Sequence, residues 1–249
     1  MKKAIDMHTH INTGSKFDSS PDSVLYDATL EYIMKMNEAA GIEKMFCSTF
    51  SSVLSCEEVE KENELLYELS QKTECLYQWV VIEPRNENTF LQAEKMLESP
   101  KCVGIKLHPP MHGYSLWEFG DKIFSFAEKH KAVVLIHPEE SPDYILPFAD
   151  KYPDVTFIMA HMGSFGEESY ANAIGFAKNR NVYADTSGSA STKNKVVEYV
   201  VGRVGSERIL FGTDTYAPGF QKGRIEYALI SDADKENILW KNAERLFKL

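Results

Sequence analysis

Eight short apolar stretches recur along the chain, and longer amphipathic stretches separate them. Several are almost uninterrupted aliphatic runs, such as residues 132–136, which is typical of parallel strands buried on both faces. Strands that alternate with helices predict an α/β protein, and eight strands are the number that closes a parallel (β/α)8 TIM barrel. The predicted strands are 4–11, 44–50, 76–84, 102–109, 133–138, 155–162, 182–187 and 209–215.

The segments between these strands carry helical signals. Apolar residues from Val24 to Met36 recur at helical spacing, and Gly41 then provides a stop signal. Residues 57–72 predict a helix with a charged outer face, and the tail 236–249 predicts an amphipathic helix that closes the outer ring. One barrel of about 250 residues accounts for the length, so residues 1–249 are expected to form a single domain. An open flavodoxin-like sheet has fewer strands, and the strand count favours the barrel.

Five of the seven histidines fall at or just after the C-terminal end of a predicted strand. These five are His8, His10, His108, His137 and His161. In a (β/α)8 barrel these strand ends form the face that carries the active site. The clustering therefore predicts a functional site at this end of the barrel.

Side chains alternate across a strand, and this alternation predicts which residues point into the barrel. On the first strand Asp6, His8 and His10 share one face, whereas the apolar Ile5, Met7 and Ile11 share the other. The apolar face is expected to pack against helices, which directs the polar residues inward. The same count places five further polar side chains inside the barrel: Lys106, His108, His137, His161 and Asp214.

Two histidines two residues apart on one strand can direct their ring nitrogens at one metal ion, and imidazole with carboxylate suits Zn, Fe, Mn or Co. A single strand-end histidine is more often a hydrogen-bonded core residue, and Asp214 alone would serve equally well as a helix cap. Together the polar set favours a metal site, because a buried polar cluster without a metal is costly to desolvate. His130 is expected to be a solvated helix residue, and the role of His112 is left open.

Composition narrows the functional class. The net charge of −10 argues against nucleic-acid binding, because phosphate recognition relies on clustered Lys and Arg. No long apolar run follows Met1, Lys2 and Lys3, which indicates neither a signal peptide nor a membrane span. The cysteines form no CxxC pair, so a reduced, cytoplasmic protein is expected. The expected partner is a small-molecule substrate rather than a nucleic acid or a membrane, with homo-oligomerisation left open.

Five short motifs occur in order: IDMHTH at 5–10, GIKLHP at 104–109, IHP at 136–138, AHMG at 160–163 and FGTD at 211–214. Together with the ending that contains RLF at 245–247, this set resembles the amidohydrolase superfamily, and within it the amidohydrolase-related group that also contains zinc-dependent decarboxylases. The resemblance covers nearly the whole chain.

The resemblance implies roles for individual residues. His8 and His10 match the first-strand metal ligands, His137 the fifth-strand ligand and Asp214 the eighth-strand ligand. His161 matches a sixth-strand histidine that contacts substrate rather than metal in single-metal members.

Lys106 decides between one metal ion and two. It occupies the fourth-strand position at which two-metal members carry a carboxylated, bridging lysine. The preferred prediction is a free ammonium beside one divalent transition metal ion, with zinc as the expected ion. A carboxylated Lys106 with two metal ions is the alternative.

These roles predict a hydrolase in which a metal-activated water attacks a small, anionic carbonyl compound such as an amide, ester or lactone. Asp214 would accept the proton of that water, and His161 would stabilise the oxyanion. Lys106 and His108 would hold an anionic group of the substrate. Six loop residues are expected to set specificity: His112, Tyr114, Trp117, Glu139, Glu140 and Tyr216.

Three other functions compete with hydrolysis. Decarboxylation of an unsaturated or aromatic acid at the same metal is the first, although decarboxylases of the family tend to be longer than this chain. A non-catalytic metal- or ligand-binding barrel is the second. A PHP-type phosphoesterase also opens with Asp-x-His-x-His, but the run 106–108 does not fit it.

Overall fold

The computed structural model describes residues 3–23 and 25–249, in which eight parallel strands form one sheet in chain order. The strands are β1 Ala4–Ile11, β2 Ile42–Thr49, β3 Leu76–Val81, β4 Cys102–Leu107, β5 Val133–Ile136, β6 Thr156–Met159, β7 Val182–Asp185 and β8 Ile209–Leu210. Backbone hydrogen bonds close the ring: Met7 N donates to Phe211 O at 3.0 Å, and Thr213 N donates to His8 O at 3.1 Å. The predicted (β/α)8 barrel is confirmed.

Helices surround the sheet. Those in the described residues are α1 Leu30–Ala40, α2 Phe50–Leu54, α3 Val59–Lys72, α4 Glu87–Met96, α5 Pro109–His112, α6 Leu116–His130, α7 Leu146–Lys151, α8 Glu167–Phe176, α9 Val196–Val204, α10 Pro218–Glu226, α11 Asp232–Glu236 and α12 Asn242–Phe247. Short 3-10 helices span Pro142–Ile145 and Ala190–Thr192, and a π-helical turn spans Asn237–Lys241. None of the helices in this part of the chain is long and apolar enough to cross a membrane.

The first helix begins later than the apolar spacing predicts. It starts at Leu30 because Thr29 adopts an extended backbone and its side chain accepts a hydrogen bond from Tyr32 N. Val24, where the predicted pattern begins, lies outside the described residues. Gly41 ends the helix with a φ of 67°, the left-handed conformation that glycine adopts without strain.

An apolar layer fills the part of the barrel beneath the strand ends. It consists of Ile5, Met7, Phe46, Trp79, Leu135, Ile158, Ala160 and Leu210, with Ala243 of α12. Phe247 of α12 covers this layer, because its ring centroid lies 4.9 Å from that of Phe46 and 5.7 Å from that of Trp79. The last helix therefore closes one end of the barrel and leaves the other end for polar residues.

Strict alternation fails on β1. Its register against β2 shifts between Asp6 and Thr9. Ile5 and Met7 consequently belong to the apolar layer inside the barrel, so the prediction that they face the helices is wrong. One irregularity in a strand changes which residues share a face.

Asp6 holds the junction between β1 and the turn after β8. Its carboxylate is fully buried and accepts hydrogen bonds from His8 N at 3.2 Å, Thr213 N at 3.1 Å and Thr213 Oγ1 at 2.6 Å. Burial raises the pKa of Asp6 to about 7, although these hydrogen bonds act in the opposite direction. Asp6 thus serves the barrel closure rather than the cluster formed by the histidines.

Candidate metal centre

His8, His10 and Asp214 converge at the open end of the barrel. His8 Nε2 lies 3.2 Å from His10 Nε2, and Asp214 Oδ1 lies 3.8 Å and 3.3 Å from these two nitrogens. Both histidines are buried, whereas the Asp214 side chain is 19% exposed. The three donor atoms are close enough to bind one metal ion together.

Hydrogen bonds on the far sides of the rings orient the two histidines. His8 Nδ1 lies 2.8 Å from Asp185 Oδ2, and His10 Nδ1 lies 3.3 Å from the Ser48 carbonyl oxygen. An Nδ1–H that donates to these acceptors leaves a lone pair on each Nε2, and the two lone pairs face Asp214. Carboxylate or carbonyl oxygens behind metal-binding imidazoles act in this way in known metal sites. The donor set therefore fits a divalent metal ion.

Burial keeps these imidazoles neutral. The pKa of His8 is lowered well below its ordinary value by burial and then by Lys106, and burial also lowers the pKa of His10. Burial alone would raise the pKa of Asp214, but His10, which can donate from Nε2 when no metal ion occupies that nitrogen, and the nearby imidazoles hold this pKa below its ordinary range. Neutral imidazoles and an ionised carboxylate are the protonation states that bind metal.

His137 and His161 form a second pair beside this group. His137 Nδ1 lies 3.0 Å from His161 Nε2, and the His137 ring stacks on His108 with centroids 4.0 Å apart. Among the described residues two three-residue groups could hold one metal ion, His8/His10/Asp214 and His8/His161/Asp185. His137 belongs to neither group, so its predicted role as a ligand stays a prediction. Burial and then His161 lower the pKa of His137 to about 3.

The sequence analysis did not predict the contacts on the Nδ1 sides of His8 and His161. The Ser187 hydroxyl oxygen lies 2.9 Å from both His8 Nδ1 and His161 Nδ1, and it donates to Asp185 Oδ1 at 2.5 Å. Asp185 also accepts from His161 N at 3.1 Å. Asp185 ends β7, so strand alternation could have found it. Ser187 follows the strand in a Ser-Gly-Ser stretch that resembles an ordinary turn.

Lys106 and His108 are both buried behind the metal centre. Lys106 Nζ donates to His8 Nε2 at 2.9 Å. His108 caps α5 and accepts weakly from Met111 N at 3.4 Å. Neither is among the described residues that line the cleft, and their predicted contact with substrate stays a prediction.

A cleft of about 670 Å³ opens above the site. His137, His161 and Asp214 line it, together with the aromatic side chains of Phe165, Tyr216 and Phe220 and several small polar residues. Tyr216 is thus one of the predicted specificity residues that reaches the cleft. Other predicted specificity residues make local contacts: His112 Nε2 donates to Ser52 O at 3.0 Å, Leu116 N donates to Glu139 at 2.9 Å, and Trp117 Nε1 donates to Glu140 at 2.8 Å.

The backbone is strained at three non-glycine residues that line the cleft. His161, Asp214 and Ala217 have φ values of 62°, 55° and 43°, in the left-handed region that non-glycine residues rarely adopt. Such strain is concentrated at functional sites in proteins. Gly188 has a φ of 73°, and a Cβ there would lie 3.1 Å from His161 Nδ1. A side chain at this position would therefore crowd the imidazole.

A parallel (β/α)8 barrel with a buried His/Asp donor set at its strand ends defines a metal-dependent barrel enzyme. The chain belongs to the amidohydrolase family, whose model matches residues 5–249. A gamma-resorcylate decarboxylase from Polaromonas sp. strain JS666 is 30% identical to this chain, over a region that covers 40% of this chain and 36% of that protein's length.

Solved structures share the fold over the whole chain. The crystal structure of 2,6-dihydroxybenzoate decarboxylase with bound 2,6-dihydroxybenzoate aligns with a TM-score of 0.77 and 17% identity, and the alignment covers 100% of both chains. A dihydroxybenzoic acid decarboxylase from Polaromonas sp. JS666, with manganese and the inhibitor 2-nitroresorcinol, aligns with a TM-score of 0.74 and 20% identity over 100% of this chain and 98% of that chain. Similarity at these identities shows the fold alone.

These comparisons overturn the hydrolase prediction. The 30% identical relative and both structural neighbours are decarboxylases, which agrees with the predicted alternative. Zinc is not shown either, since structural neighbours solved with a metal contain manganese.

Proposed function

We propose that this protein is a metal-dependent decarboxylase of an aromatic carboxylic acid. One structural observation carries the proposal: His8, His10 and Asp214 converge beside a cleft whose rim contains three aromatic side chains. An aromatic ring packs favourably against such side chains. The decarboxylases among the relatives and structural neighbours support the same reaction class.

Decarboxylation breaks the bond between the ring carbon and the carboxylate carbon. The electron pair stays on the ring carbon, carbon dioxide leaves, and the ring carbon takes one proton. A divalent ion held by His8, His10 and Asp214, with His137 as the proposed fourth ligand, would supply Lewis-acid polarisation of substrate oxygens. The reaction consumes no water, so the site needs a proton carrier rather than a nucleophile.

We assign proton handling to His161 and Asp214. Both line the cleft, and the His161 ring is fixed from behind because Ser187 accepts from its Nδ1. That hydrogen bond leaves His161 Nε2 to face His137 at 3.0 Å, at the wall of the cleft. A ring held in one orientation can exchange a proton with substrate without losing its position.

The identity of the metal belongs to the same proposal. Two imidazoles and a carboxylate bind zinc and manganese alike, so ligand type alone does not choose between them. We retain one zinc ion as the predicted cofactor, with manganese as the competing ion because a structural neighbour holds it. Elemental analysis of protein purified without added metal distinguishes the two.

The test is carbon dioxide release from 2,6-dihydroxybenzoate by protein loaded with manganese or zinc. Expected products are carbon dioxide and resorcinol in equal amounts, identified by isotope trapping and liquid chromatography. In deuterium oxide, one deuterium should appear at the ring carbon that lost the carboxylate. Failure to release carbon dioxide from any of a panel of hydroxylated benzoates would reject the proposed function.

A further inference from the structure

The cleft above the metal centre lacks a cation for a second substrate carboxylate. Among the described residues that line it there is no Lys or Arg, and Asp214 is the one acidic residue. The ring nitrogens of this lining belong to His137 and His161, which stand together beside the metal centre. A carboxylate placed on the rest of the lining would therefore meet no cationic side chain.

Two basic residues near the strand ends, Lys106 and Arg85, are engaged in hydrogen bonds. Lys106 is fully buried and donates to His8 Nε2 at 2.9 Å. Arg85 donates to Glu83 through Nε at 2.6 Å and Nη2 at 2.9 Å, and Nη2 also donates to His112 O at 2.6 Å. Neither side chain belongs to the lining of the cleft. Drawing either one into the cleft would break these hydrogen bonds.

The other residues that line the cleft suit a neutral aromatic ring. Phe165, Tyr216 and Phe220 remain 44%, 45% and 65% exposed, which leaves ring faces available to a ligand. Ser189 and Thr192 add hydroxyl groups that can bond with neutral polar substituents. A second carboxylate buried among these groups would lose its hydration without gaining an ion pair.

We infer that the cleft selects aromatic acids with one carboxylate, the group that is lost, and with neutral substituents on the rest of the ring. Aromatic dicarboxylates are poor ligands of this site. The inference rests on the proposed decarboxylase function and names its substrate class.

A matched set of three compounds tests it with manganese-loaded protein: 2,6-dihydroxybenzoate, the same compound with a second carboxylate at C4, and the corresponding C4 carboxamide. The carboxamide controls for size without charge. We expect kcat/KM to fall at least about 100-fold for the dicarboxylate and less than about 10-fold for the carboxamide, because an unpaired buried charge is penalised far more than a neutral amide. A dicarboxylate that reacts as well as the monocarboxylate would overturn the inference.

A binding measurement separates this inference from the proposed function. In 2-nitroresorcinol a nitro group stands in place of the carboxylate that is lost. Calorimetry should detect its binding at least about 10-fold tighter than that of 3,5-dihydroxy-4-nitrobenzoate, which adds a carboxylate at the position of the second carboxylate. This preference without any carbon dioxide release would reject the proposed function and leave the inference intact. Equal binding, stronger binding of the carboxylated compound or binding of neither would overturn the inference.

Charge insertion provides the converse test. Ser189 is exposed at the cleft, so Ser189→Arg adds the missing cation and Ser189→Gln adds length without charge. Ser189→Arg should shift the ratio of dicarboxylate to monocarboxylate binding by at least about 10-fold towards the dicarboxylate, because the new ion pair forms in a partly desolvated site. Ser189→Gln should leave that ratio near the wild-type value. Equal ratios in the two variants would contradict the inference.

Discussion

The Ser187 hydroxyl oxygen lies 2.9 Å from Nδ1 of His161. The same oxygen lies 2.9 Å from Nδ1 of His8, and its own proton is directed at Asp185 Oδ1 at 2.5 Å. One hydroxyl therefore contacts both a proposed metal ligand and the proposed proton carrier. Because the proton of Ser187 is committed to Asp185, its oxygen acts as acceptor and keeps Nε2 of His161 unprotonated when that ring is neutral.

Replacing Ser187 should affect turnover more than folding. Ser187→Ala removes the acceptor behind His161, and we expect kcat to fall about 10- to 100-fold with a much smaller change in KM, as for other residues that orient functional imidazoles. The pH dependence of kcat should also shift, which loss of packing alone would not cause. Steady-state kinetics across pH 5 to 9 measure both effects.

Ser191→Ala is the matched control for this prediction. Ser191 is also buried in the loop after β7, but its hydroxyl donates to Thr186 O instead of contacting an imidazole. Its pH profile should therefore match that of the wild type. Equal losses in both variants would mean that Ser187 supports only the loop.

Metal content should depend on the convergent group. His8→Ala and His10→Ala each remove one of the two nitrogens that lie 3.2 Å apart, so metal content should fall from one equivalent to less than about one tenth. His130→Ala should retain full metal content, because His130 lies on α6 and pairs with Glu94 at 3.5 Å. Inductively coupled plasma mass spectrometry on dialysed proteins measures these values. Full metal content in His8→Ala would contradict the assignment of His8 as a metal ligand.

His137→Ala tests the proposed fourth ligand separately. If His137 binds the metal, the affinity for the ion should fall at least about 10-fold, as measured by competition with a chelator. Unchanged affinity would restrict the ligands to His8, His10 and Asp214. His137 would then only line the cleft beside His161.

His161→Asn should separate chemistry from metal binding. The side-chain amide retains polarity but cannot carry a proton at neutral pH, so kcat should fall about 100- to 10,000-fold while metal content stays near one equivalent. Metal analysis and single-turnover kinetics on the same preparation check both values. Loss of the metal together with activity would make His161 a ligand.

Lys106 should make the stability of the metal-free protein depend on alkaline pH. Burial lowers its pKa to about 8, with opposing effects from Asp185 and Asp214. The unfolded chain then binds more protons than the folded chain between pH 8 and about 10.5, so the free energy of unfolding should rise across this interval by about 3 kcal/mol. Urea unfolding of wild type and Lys106→Met at pH 8, 9 and 10 measures the difference in slope.

The Lys106→Met variant should lack this rise in the free energy of unfolding, since methionine has similar length and no charge. Parallel slopes in the two proteins would refute the lowered pKa of Lys106.

The number of metal ions is a separate prediction. In the metal-loaded wild type, titration should give one equivalent of metal. Two equivalents with a carboxylated Lys106 would refute the single-metal prediction.

The sequence alone determined the barrel and the residues at its open end. Eight apolar runs separated by helical stretches can bury their surfaces as one closed parallel sheet, and the structure has eight parallel strands in chain order. His8, His10 and Asp214 could be predicted as neighbours because parallel strands end at one edge of the sheet. The strand count and the location of these residues follow from the local hydrophobic pattern and from the topology of the fold, and both can be inferred from the sequence.

Only the tertiary structure decided which side chains meet. The register shift on β1 moved Ile5 and Met7 inside the barrel, because pairing with β2 overrides strict alternation within one strand. Lys106 is fully buried and donates to His8, and Ser187 contacts two imidazoles from a turn that carries no sequence signal. Depth in the barrel and hydrogen bonds between distant strands arise from packing of the whole chain, and no local pattern in the sequence specifies them.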